Sequence, residues 1–128
     1  LCSGKIYYEL IEARSELGAM GVSVHRLEQV YPVDDEVLAE ILSGYQEGTK
    51  VIWAQEEPEN MGAWPYLKVR FGTEWVGGRF HVSIVARRPS ASPATGSSLN
   101  HKREQKDLLA RAIQDSNALR EVKSTQAK

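Results

Sequence analysis

The sequence predicts an α/β fold, a three-layer sandwich in which a mainly parallel sheet carries helices on both faces. Three observations predict it. Strand-like apolar runs alternate with segments of helical period along the whole chain. The central run Val51-Ile52-Trp53-Ala54 is apolar at successive positions, as a strand covered on both faces is. The length, 128 residues, suits one domain with a substantial core and no more. Crossovers between parallel strands are expected to be right-handed.

Each element has its own justification. Leu1-Cys2 reads as the last two residues of a strand, with Ser3-Gly4 leading into a helix. No Met precedes it, so the chain is expected to be a piece cut inside that first strand. Over residues 4–17, Ile6, Tyr7, Leu10, Ile11 and Leu17 recur at helical spacing, with Glu9, Glu12, Arg14 and Glu16 on the other face. Ser3 is the expected N-cap, and Gly18 and Gly21 end the helix. Residues 22–27 alternate and are rich in β-branched types, which predicts a strand. His25 on it is expected to be a hydrogen-bonded structural residue. After Tyr31-Pro32, the acidic run Asp34-Asp35-Glu36 caps a helix whose buried stripe is Val37, Leu38, Ile41, Leu42 and Tyr45. Acidic groups there complement exposed amides and the helix dipole, which accounts for them without a metal.

Gly48 closes that helix, and residues 50–54 form the central strand. Residues 61–71 fit a helix with Pro65 in its first turn, where proline is tolerated. Trp75-Val76-Gly77-Gly78 is a loop. Residues 81–86 are the next strand, with Val82, Ile84 and Ala86 on one face. A polar loop dense in turn residues runs from Arg87 to Ser98. Residues 101–113 form the last clear helix, with Leu108, Leu109, Ala112 and Ile113 as its stripe. The division is a domain over residues 1–113 and a weakly structured tail over 114–128.

Composition narrows the function. A net charge of −1 and a pI near 6.4 give no reason to expect nucleic acid or an anionic membrane as partner. The single Cys2 excludes an internal disulfide and any paired-cysteine motif. No apolar run approaches the ~18 residues of a membrane span. There is no Gly-Asp-Gly…Asn metal–diphosphate motif and no Gly-rich phosphate loop. The balance suits a cytosol-like compartment.

Two clusters are candidate sites. The crevice beyond the carboxyl ends of parallel strands is where open α/β sheets meet ligands and partners. Gln55, Glu56, Glu57, Asn60 and Trp64 lie there, and are read as a contact with another domain or subunit. The competing reading is a solvated strand end stiffened by Pro58. Arg87 and Arg88 with Ser90, Ser92 and Thr95 combine guanidinium groups, hydroxyls and a helix start, the chemistry of an anion or effector site. Against it stands an ordinary turn whose arginines pair with Glu56, Glu57 or Glu59. Trp53, Trp64 and Trp75 are expected as core and interface anchors.

Four motifs stand in order: Leu1-Cys2-Ser3-Gly4-Lys5-Ile6-Tyr7-Tyr8; Arg26-Leu27-Glu28-Gln29-Val30-Tyr31-Pro32; Gln55-Glu56-Glu57-Pro58-Glu59-Asn60-Met61-Gly62-Ala63-Trp64; and Ser90-Ala91-Ser92-Pro93-Ala94-Thr95-Gly96 with His101 and Glu104-Gln105. Their succession resembles the C-terminal end of the thiamine-diphosphate-dependent decarboxylating component of the 2-oxoglutarate dehydrogenase complex. The resemblance runs from Leu1 to about Ile113. It implies a homodimeric oxidoreductase of the tricarboxylic acid cycle, related to transketolase. Such an enzyme decarboxylates 2-oxoglutarate and passes the succinyl group to a lipoyl arm of a dihydrolipoamide succinyltransferase component. It also implies a transketolase-type C-terminal domain with five strands, the strand ending at Leu1-Cys2 being internal and here truncated.

Thiamine diphosphate and Mg2+ are then bound by upstream domains outside this segment. No catalytic, cofactor-binding or metal-ligating residue is expected within it, and the segment alone is not expected to be active. With an inner strand cut short, it is expected to fold poorly or to associate. The implied partners are the upstream domains, the second subunit and the succinyltransferase, with no nucleic acid and no membrane. The implied location is bacterial cytoplasm or mitochondrial matrix. Alternatives are a stand-alone, non-catalytic ligand-binding module, or a piece of a 2-oxoadipate dehydrogenase or 2-oxoglutarate decarboxylase.

Overall fold

A computed structural model describes residues 1–91 and 98–126, with side chains of the last helix described as far as Ser116. The elements run α1 (Ile6–Glu16), α2 (Asp35–Leu42), β1 (Val51–Pro58), α3 (Trp64–Phe71), β2 (Glu74–Trp75), β3 (Phe80–Arg87) and α4 (Ser98–Gln126). The sheet is mixed, in the order β1-β3-β2. β1 and β3 are parallel, with Val51 opposite Val82 and Ala54 opposite Val85. β2 pairs antiparallel with β3 through Glu74–His81 and Trp75–Phe80. The expected loop at Trp75 is therefore a short strand, and residues 76–78, all at positive φ, make the turn after it.

The expected strand over 22–27 is reduced to one parallel bridge, Cys2 to Arg26. Leu1 and Cys2 lie between it and β1. Cys2 N–H donates to His25 O at 3.0 Å and Leu27 N–H to Cys2 O at 2.8 Å on one side; Ala54 N–H donates to Leu1 O at 2.9 Å on the other.

The two faces of the sheet bury separate clusters. Val51, Trp53 and Val82 face α2 and α3, with Leu38, Leu42, Trp64, Leu67, Trp75 and Phe80. Ile52, Ala54 and Val85 face α1 and α4, with Ile6, Leu10, Leu108, Ala112 and Ile113. This alternation along β1 and β3 makes the three layers. Side chains of this size stabilise by about 1.5–3 kcal/mol each on full burial, and the three tryptophans are all inside.

Local sequence explains the helix ends. Asp34 Oδ1 accepts from Glu36 N–H at 3.1 Å, the expected cap of α2. Ser3 does not cap α1; the chain turns at Gly4, φ +80°, and Lys5 occupies the cap position without a side-chain bond. α4 does not stop at Ile113, where its apolar stripe ends, but continues as helix to Gln126.

Candidate functional site

The site lies beyond the carboxyl ends of β1 and β3. β1 continues past Ala54, where the sequence predicts its end, and runs to Pro58. Between Ala54 and Pro58 its register with β3 slips: Ala54 faces Val85, but Pro58 faces Arg87. Gln55, Glu56 and Glu57 thus occupy a bulge, the device that re-aims side chains at strand ends.

Gln55 turns inward and is only 4% exposed. Its Oε1 accepts from Trp53 Nε1 at 2.9 Å and from Trp64 N–H at 3.0 Å. Its Nε2 donates to the carbonyls of Glu57 at 3.3 Å, Pro58 at 3.0 Å and Met61 at 2.8 Å. The side chain closes the turn and caps α3, whose own cap residue, Ala63, has no side-chain acceptor. Trp64 is also buried. Two of the five expected contact residues therefore organise the loop from inside. Glu57 and Asn60 are exposed and Glu56 is half-buried. Gly62 has φ +66°, and a Cβ there would meet Glu57 side-chain atoms at 3.0–3.1 Å. Asn60 and Ser90 clasp reciprocally: Asn60 Nδ2 donates to Ser90 O at 2.9 Å, and Ser90 N–H to Asn60 Oδ1 at 3.0 Å.

The second cluster divides. Arg87 points at α4, its side chain 9% exposed. Nη2 contacts His101 Nδ1 and Gln105 Oε1, each at 3.1 Å. Nε makes no hydrogen bond among the described residues and stands 3.6 Å from a Glu104 carboxylate oxygen. The guanidinium does not pair with the expected Glu56, Glu57 or Glu59 side chains; Glu59 meets Arg87 through the backbone, its N–H donating to Arg87 O at 2.9 Å. Arg88 and Ser90 are exposed. Ser92 and Thr95 lie outside the described residues.

Gln105 joins the two clusters. It is 8% exposed, and its Nε2 donates to Glu9 Oε2 at 2.7 Å and to Glu56 Oε1 at 2.9 Å. Hydrogen bonds to ionised acceptors are the stronger kind. The sequence places Glu9 on the outer face of α1; the structure turns it toward this amide. Gln105 and His101 belong to the motif quoted above, yet nothing in their spacing marks them as partners of Arg87.

His25 behaves as expected, its Nε2 2.6 Å from Tyr45 Oη. Burial pushes its pKa below the ordinary value. Burial also pushes the Cys2 thiol up. Among the described residues, no three His, Cys, Asp or Glu side chains are grouped to hold a metal ion, and no helix is long and apolar enough to cross a membrane.

Together these features define an α/β domain with a mixed sheet and an inward-turned polar cluster at the ends of its parallel strands. The family described as "2-oxoglutarate dehydrogenase C-terminal" matches residues 1–113, and the chain belongs to it. The chain is 40% identical over 115 residues to the 2-oxoglutarate dehydrogenase E1 component of Rickettsia felis, covering 88% of this chain and 12% of that protein. It is 38% identical over 113 residues to the protein of that name from Cupriavidus necator, covering 88% and 12%. Against the mitochondrial 2-oxoglutarate dehydrogenase of Caenorhabditis elegans it is 37% identical over 114 residues, covering 88% and 11%. The chain thus spans about an eighth of the length of these relatives.

Proposed function

We propose that this chain is the C-terminal segment of a thiamine-diphosphate-dependent 2-oxoglutarate dehydrogenase that transfers a succinyl group to lipoyl. The observation that carries this reading is the family match over residues 1–113. In the whole enzyme, thiamine diphosphate with Mg2+ supplies the electron sink for decarboxylation. Among the described residues, no three His, Cys, Asp or Glu side chains group to hold the metal. The segment's own work is to pack against upstream domains and the second subunit of a homodimer, within a transketolase-like C-terminal fold. The bulge presents Glu56 and Glu57 for that contact, with Gln55 and Trp64 fixing the loop behind them. An effector anion at the second cluster would rest on Arg88, since Arg87 is engaged by α4 and Ser90 by Asn60. Cytoplasm or mitochondrial matrix is the location that fits these relatives.

Immunoblotting a source extract with an antibody to residues 50–65 tests this. A polypeptide of the relatives' size, purifying with 2-oxoglutarate-dependent succinyl transfer to lipoyl, supports it. A band at 14.3 kDa, the mass of this chain alone, refutes it.

A further inference from the structure

We propose that Gln105 is a positioning residue that couples Arg87 on β3 to Glu56 on β1, so that a change at the start of α4 is felt at the strand-end carboxylate. Its importance for subunit contact rests on the reading of Glu56 given above; the coupling itself does not. Arg87 and Glu56 share no hydrogen bond or ion pair, yet each bonds to the same amide. That amide has one workable orientation. Its oxygen faces the guanidinium, and its two N–H groups face the carboxylates of Glu9 and Glu56. Turning it over would set N–H against Nη2 and oxygen against both carboxylates. Burial removes the water that would otherwise let each contact relax alone, and such networks respond cooperatively.

α4 holds Arg87 through three residues of its first turns, His101, Glu104 and Gln105. Among the described residues, the buried Arg87 Nε–H has no hydrogen-bond acceptor. A shift of those turns moves the guanidinium, and Gln105 passes the shift to Glu56.

The test is a three-way mutant cycle on the 128-residue chain, after its unsubstituted form has been shown to unfold in one cooperative transition. Arg87→Lys and Glu56→Gln are measured singly and together, in the native background and in Gln105→Met. Groups in one network usually couple and separated groups do not. The expected result is that the two substitutions interact by about fivefold or more in the folding equilibrium constant, and that the interaction falls to within error in Gln105→Met. Additive effects in the native background, or equal coupling in both backgrounds, overturn the proposal. If the double variant or the Gln105→Met background does not fold, the Gln105 side-chain amide resonances in the two single variants decide it. Both N–H signals must move on Arg87→Lys and on Glu56→Gln; no movement in either overturns it. Failure here would leave the oligomeric enzyme reading intact, and the immunoblot would judge that separately.

Discussion

Gln55→Met keeps the length and volume of a buried side chain and removes every hydrogen bond it makes. Two donors are stranded without water: Trp53 Nε1–H and the Trp64 amide at the start of α3. The carbonyls of Pro58 and Met61 lose their close donor as well. Each buried group left unsatisfied costs about 1–3 kcal/mol. Carbonyls in a half-exposed turn recover part of their loss from solvent, so the two donors set the scale, about 3–4 kcal/mol. Against a total stability of about 5–15 kcal/mol for a domain, that loss is large. It corresponds to a fall in Tm of about 11–15 °C for a chain of this size. Urea unfolding followed by far-ultraviolet circular dichroism measures it, with an unchanged m-value required for the comparison. Gln55→Glu keeps the acceptor for Trp53 and Trp64 but turns an oxygen against three carbonyls, so it should destabilise comparably. A loss below about 1 kcal/mol for Gln55→Met would refute the reasoning, because an apolar side chain would then serve the turn equally well.

Gly62→Ala should cost about 1–2 kcal/mol in the same urea assay, since φ is +66° and the new Cβ meets Glu57. Leu108→Ala, at a fully buried position between α4 and the sheet, should cost about 2–5 kcal/mol, read as a lowered urea midpoint. His25 has its folded pKa lowered below the ordinary 6.5. The unfolded chain therefore binds the proton first as pH falls, and stability drops below about pH 6.5 toward the folded value. Unfolding curves between pH 7.5 and 5 should show that slope diminished in His25→Gln.

The elements with strong local signals were legible in the sequence. Asp34 caps α2 because a short acidic side chain before an apolar stripe has one good use there. Strand cores 51–54 and 82–85 follow from apolar runs, and the three tryptophans are inside as their size demands. What was hidden depends on distant partners. The 22–27 segment has strand chemistry but makes a single bridge, so propensity alone overstates it. β1 runs on through two glutamates because a bulge lets polar side chains leave the ladder, and no period in the sequence marks a bulge. Gln55 and Gln105 look like ordinary polar residues; their roles arise from Trp64, Arg87, Glu9 and Glu56, brought close only by the fold. Arg87 reads as a surface cation beside serines, yet β3 ends with it turned into α4. Ser92 and Thr95 lie outside the described residues, and the anion-site expectation there stays a proposal.

The separation of the two cores has an optical consequence. Trp53, Trp64 and Trp75 all belong to the cluster under α2 and α3. The cluster under α1 and α4 contains no tryptophan. Indole emission therefore reports on one side of the sheet only. Loosening of α1 and α4 would leave emission steady while much of the helical signal disappeared. Agreement between the two signals during unfolding would show that the layers melt as a unit. Divergence would show a protein whose lit half outlasts its dark one.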